Sequence, residues 1–166
     1  MKRKKRKGSI LVVLTLIVTM LFASVPVSAA GFDLTGSVVD GSLLTAESIV
    51  QDQVSILTRG NILADGIVQL ANLGDRVLGV SGTTNCHRIC DQVICNVYLE
   101  QLDEETGDWD PYESWNSNDT NVYAHTVYYE YRVEGGHWYR LSGAHIAIKG
   151  TTVESISTTT DGIWID

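Results

Sequence analysis

Residues 122–148 read VYAHTVYYEYRVEGGHWYRLSGAHIAI, and the fold turns on how they are read. Two runs rich in Val, Ile, Tyr and Trp flank Glu134-Gly135-Gly136, the composition of strands bounded by turn residues. A Gly at the third place of a three-residue loop suits a type I turn closed by a left-handed residue. The spacing therefore predicts an antiparallel hairpin with Val133 facing His137. One face then carries Val127, Tyr129, Tyr131 and Val133 with Tyr139, Leu141 and Gly143. The other carries Tyr128, Glu130 and Arg132 with Trp138, Arg140 and Ser142. In this register Glu130 faces Arg140, Arg132 faces Trp138 and His125 faces His145. That division is expected of a half-buried antiparallel pair.

Working outward, Gln92 to Leu102 also alternates, with Val93, Cys95, Val97 and Leu99 on one side, which predicts a buried Cys95. The polar run Asp103 to Asp108 follows as a hairpin loop, and Trp109, Tyr112 and Trp115 return as aromatic anchors. Asn72-Leu73-Gly74-Asp75 has the residues of a tight turn with positive φ. Candidate strands are Ile67 to Ala71, Arg76 to Thr83, Gln92 to Leu102, Trp109 to Asn116, Val122 to Val133, His137 to Ile148, Thr152 to Thr159 and Gly162 to Ile165. About eight strands with regular turn spacing predict an all-β fold, an antiparallel β-sandwich over residues 59–166.

Residues 30–58 are Ser/Thr/Asp-rich, and their apolar spacing fits neither helix nor strand throughout, so a mobile N-terminal arm is expected there. Ahead of it, six basic residues from Lys2 to Lys7 precede the apolar run Ile10 to Phe22 and the small residues Val27, Ser28, Ala29 and Ala30. That order predicts a signal peptide over residues 1–29, and the apolar run falls short of the roughly 20 residues a membrane span needs. Export, with no stable membrane insertion after cleavage, is the expectation. Of the chain's 12 Lys+Arg and 20 Asp+Glu, removal of the basic run leaves 6 against 20, a net charge of −14. A surface so acidic argues against nucleic acid as a partner. The partner expected is an extracellular ligand or protein.

Val97-Tyr98-Leu99-Glu100, Gly107, Trp109, Trp115, Val133 to Arg140, His145, Glu154-Ser155 and Thr160 to Ile165 together resemble a family of small secreted proteins from Gram-positive anaerobic bacteria that carries a domain-of-unknown-function label. The resemblance runs from about Arg59 to the C-terminus. It implies secretion and a compact β-rich domain, and brings no activity, ligand or catalytic residue with it.

Four groups of residues bear on chemistry. Cys86, Cys90 and Cys95 lack the two spaced pairs of a structural zinc site. With Cys95 on a buried face, Cys86 and Cys90 remain as the candidate disulfide. His125 and His145 are the candidate metal pair, but two ligands make a weak site, so no metal or other cofactor is assigned. Asp103, Glu104, Glu105, Asp108 and Asp110 lack the ligand spacing of a helical calcium loop and read as a solvated hairpin tip. Ser81, in Gly79-Val80-Ser81-Gly82, lacks the nucleophile-elbow spacing. No catalytic residue is assigned. The expected function is a secreted, non-enzymatic binding or surface-interaction module, with a small secreted hydrolase as the alternative. Exposed aromatic rings on a sheet favour the first, and a concave pocket joining two carboxylates favours the second.

Overall fold

The structure is a computed structural model that describes residues 43–56 and 62–166. The expected signal peptide, and residues 30–42 and 57–58 of the expected arm, lie outside the described residues. All regular structure in the described residues is strand: β1 (Leu44–Thr45), β2 (Ile49–Ser55), β3 (Leu63–Asn72), β4 (Val77–Leu102), β5 (Trp109–Arg132), β6 (His137–Lys149), β7 (Thr152–Thr159) and β8 (Gly162–Ile165). The all-β expectation holds. The strands form one hydrogen-bonded sheet in the order β1-β8-β6-β4-β3-β2, with β5 added to β4 and β7 to β6. Every pairing is antiparallel except that of β1 with β8.

β4 explains the architecture. Its 26 residues would extend about 85 Å if straight, far beyond a domain whose radius of gyration is about 14 Å. It bends where its register with β5 shifts: Asn85 pairs with Ala124, and the next partner pair is Cys90 with Val122. Residues 86–89 thus bulge opposite Tyr123 alone. Before the bulge β4 pairs with β3 and the second half of β5; after it, with β6 and the first half of β5. The sheet curls over itself, and β3 comes to lie against β6 and β7. Between these halves lie Val68, Leu70, Leu78, Val80, Val97, Leu99, Tyr139 and Leu141, all fully buried. At the rim, Trp115 stacks on Tyr129 with ring centroids 5.2 Å apart, joining the two halves of β5.

Three expectations are corrected. First, β5 and β6 do not form a hairpin, because β4 lies between them and hydrogen-bonds to both. Glu100, not Glu130, faces Arg140, and Cys95, not His125, faces His145. The face assignments nevertheless stand: Tyr139 and Leu141 are buried while Tyr128, Glu130 and Arg132 are exposed. Alternation records which side of a strand is buried, and β5 and β6 present their apolar sides to one interior without touching along their edges. Gly136 has the expected left-handed backbone, φ 85°.

Second, residues 44–45 and 49–55 of the expected arm are strands of the same sheet, so the domain begins earlier than residue 59. β2 pairs with β3 from Ile49 opposite Ala71 to Ser55 opposite Asp65. Its buried side carries Val50 and Asp52, and the charged residue breaks the apolar alternation by which the strand would be recognised. Asp52 is tolerated because its Oδ2 accepts the Thr159 backbone N–H at 2.8 Å, and burial pushes its carboxyl up. Glu154 plays a similar part at the other end of β7, where Oε2 accepts from the N–H groups of Ile62 and Leu63, both at 2.8 Å. These carboxylates tie β7 to β2 and β3 where no strand pairing does.

Third, residues 84–91, left between two candidate strands, are part of one strand, and Cys86 to Asp91 hold the bulged centre of β4.

Candidate functional site

His145 and His125 do not meet. His145, on β6, is fully buried, its Nδ1 2.9 Å from Thr84 Oγ1 and its Nε2 2.9 Å from Thr158 Oγ1. The Thr84 hydroxyl is also 2.9 Å from the Ile94 carbonyl and donates to it. Nδ1 therefore carries the imidazole proton and Thr158 donates to Nε2. Burial pulls the His145 pKa down to about 4 against a smaller upward pull from Asp65, which keeps the ring neutral at pH 7. His125, on β5, contacts Ser117 instead, with Nε2 2.9 Å from Oγ. Among the described residues no three His, Cys, Asp or Glu side chains cluster to hold a metal ion. Cys86, Cys90 and Cys95 are all buried, Cys95 with its Sγ 3.9 Å from His145 Nδ1.

The acidic tip leads to a site. β4 and β5 meet at the expected loop, where Asp103 Oδ1 accepts the Glu105 N–H at 2.8 Å and Gly107 adopts φ 80°. Those backbone donors, Glu105 first and then Thr106, hold the Asp103 carboxyl below its usual range. The tip stands beside Gly136 and His137 at the start of β6 and Trp164 of β8, and together they enclose a cleft of about 500 Å³. Asp103, Glu104, Glu105, Asp110, His137 and Trp164 line it, with no Lys or Arg in its wall.

Trp164 is the cleft's aromatic wall. Its position on the outward side of β8 follows from alternation, since Ile163 and Ile165 on either side are buried in the core while Trp164 is 37% exposed. The indole Nε1 donates to Asp166 Oδ1 at 2.8 Å. Its ring meets Trp138 edge-on, centroids 5.4 Å apart and planes at 64°. Two residues along β6 from Trp138, the Arg140 guanidinium lies 4.5 Å above the Trp109 ring and pairs through Nε with Glu100 Oε2 at 2.5 Å. Glu100 Oε2 also accepts from Ser142 Oγ at 3.1 Å. Arg140 is thus committed to Glu100, and the charged side chains of the cleft wall itself are carboxylates.

The tip and the tryptophans are each visible in the sequence. Their meeting is not, because it joins segments near residues 104, 137 and 164, brought together only by β4, β6 and β8 lying side by side.

A curled all-β domain with an indole-walled acidic cleft is the class of protein that this fold and site define. Residues 33–163 match the family of unknown function DUF6147, and the chain belongs to that family. No curated protein and no solved structure matches the chain.

Proposed function

We propose that the chain is a secreted, non-enzymatic binding module whose ligand seats in the cleft against Trp164. The observation that carries this reading is the pairing of a half-exposed, hydrogen-bonded indole with a rim whose charged groups are carboxylates. An indole face attracts a cation through its quadrupole, and carboxylates add a field of the same sense. The ligand group favoured is therefore a protonated amine or guanidinium on an extracellular partner. Export itself is supported by the order of basic, apolar and small residues over 1–29. N-terminal sequencing of protein from culture supernatant is expected to begin at Ala30 or Gly31.

The hydrolase reading draws on one observation, that several carboxylates share the cleft. Against it, Asp103 is held ionised as a backbone cap, whereas the carboxyl pushed upward, Asp52, lies on β2 and is not part of the cleft wall. A general acid needs a raised pKa at the reacting bond. NMR titration with a lysine-rich peptide and a neutral oligosaccharide separates these readings. The peptide is expected to shift the Trp164 indole N–H and the Glu104 and Glu105 amides, with the effect lost in Trp164→Ala. Unchanged peptide binding by Trp164→Ala, or conversion of either probe to products, would overturn the proposal.

A further inference from the structure

We infer that Cys86 and Cys90 are a redox pair that closes to a disulfide across the β4 bulge, leaving Cys95 as the third, unpaired thiol. In a regular strand, residues four apart have α-carbons about 13 Å apart, and a disulfide needs them within about 7 Å. The bulge removes that obstacle. On the β5 side residues 86–89 oppose Tyr123 alone, Cys90 Sγ donates to the Arg88 carbonyl at 3.4 Å inside the bulge, and the Cys90 thiol lies close enough to Cys86 to help push the Cys86 pKa up. Both side chains are buried in a second apolar cluster with Ile62, Leu63, Val93 and Ala147.

The bulge is also braced from outside. His87 N donates to Ile62 O at 2.9 Å, Lys149 Nζ to Ile89 O at 2.6 Å, and Gly150 N to Asp91 Oδ2 at 2.7 Å. Cys95 belongs to the main core beside His145 and is no part of this cluster.

The oxidant is a small-molecule disulfide. Cys86 and Cys90 lose two protons and two electrons in two exchange steps. One S–S bond forms in the protein, the acceptor's S–S bond breaks, and two thiols leave. Burial first, and then the neighbouring thiol, push the Cys86 pKa up to about 12, so the attacking thiolate is scarce once the bulge has closed. Exchange therefore belongs to the folding chain, and the folded reduced protein resists later oxidation.

The test is refolding of the reduced chain in a glutathione/glutathione-disulfide mixture, followed by alkylation in denaturant and peptide mapping. The expected product links Cys86 to Cys90, carries label on Cys95 alone, and melts roughly 5 °C above the fully reduced protein. Cys95→Ala should keep the redox-dependent melting shift, and the Cys86→Ala/Cys90→Ala double variant should lose it. The map of the unsubstituted chain decides the matter even if a variant fails to fold. Label on all three cysteines, a bond that includes Cys95, or equal melting of oxidised and reduced forms would overturn the inference.

Discussion

Acid should unfold this domain through His145. The imidazole is fully buried, and space for it exists because residues 66 and 143 are glycines: a β-carbon at Gly66 would sit 2.2 Å from the ring Cδ2, and one at Gly143 2.8 Å from Nε2. Both ring nitrogens are matched to hydroxyls, so the neutral ring is satisfied and the charged ring would lack solvation. In the unfolded chain the ring titrates near 6.5, and in the folded protein near 4. As pH falls between those values the unfolded state takes up a proton that the folded state refuses. The stabilisation is complete above 6.5 and is lost progressively down to about 4, at 1.36 kcal/mol per unit, an order-of-magnitude total of ~3 kcal/mol. Asp52 acts in the opposite sense, since a carboxyl with a raised pKa favours the folded state as pH falls, so the wild-type curve alone does not isolate the histidine. The comparison with His145→Gln does, because the amide does not titrate and retains a donor and an acceptor. Urea unfolding followed by tryptophan fluorescence at intervals from pH 7 to 4.5 is the assay. Wild type is expected to lose stability more steeply than the variant below pH 6.5. Parallel curves would refute the assignment of a neutral, buried imidazole.

Further outcomes follow from the same contacts. Gly66→Ala should destabilise by roughly 1–3 kcal/mol, because the new methyl must displace the His145 ring, and chemical denaturation would measure it. Glu154→Ala strips two backbone N–H groups of their shared acceptor and should weaken the domain by about 1–3 kcal/mol per donor left buried, with earlier hydrogen exchange at Ile62 and Leu63 as the local readout. A double-mutant cycle on Glu100 and Arg140 should show a coupling of about 0.2–1 kcal/mol, while Glu130 and Arg140 should show none. At the turn before β6, Gly136→Ala should cost about 1 kcal/mol for its left-handed backbone. Gly135→Ala should be no milder, because its β-carbon would lie 2.4 Å from the Asp166 carbonyl oxygen.

The sequence by itself determined which residues turn inward. Val93, Cys95, Val97 and Leu99 lie on a buried face, Tyr139 and Leu141 on another, and β7 and β8 begin and end where alternation and turn residues place them. The Asp103–Asp108 hairpin loop and the left-handed Gly136 were equally legible, because local chemistry sets both. Which strands lie side by side was decided only in three dimensions. A period of two states a strand's buried side and says nothing about its neighbour, so Glu134-Gly135-Gly136 reads as a hairpin loop although β4 takes both flanking strands as partners. β2 was hidden for a related reason: its inward Asp52 looks like a loop residue until Thr159 of a strand distant in sequence supplies the backbone donor that stabilises it. The cleft has the same origin, since no local pattern foretells that the acidic tip, His137 and Trp164 share one wall once β4, β6 and β8 align.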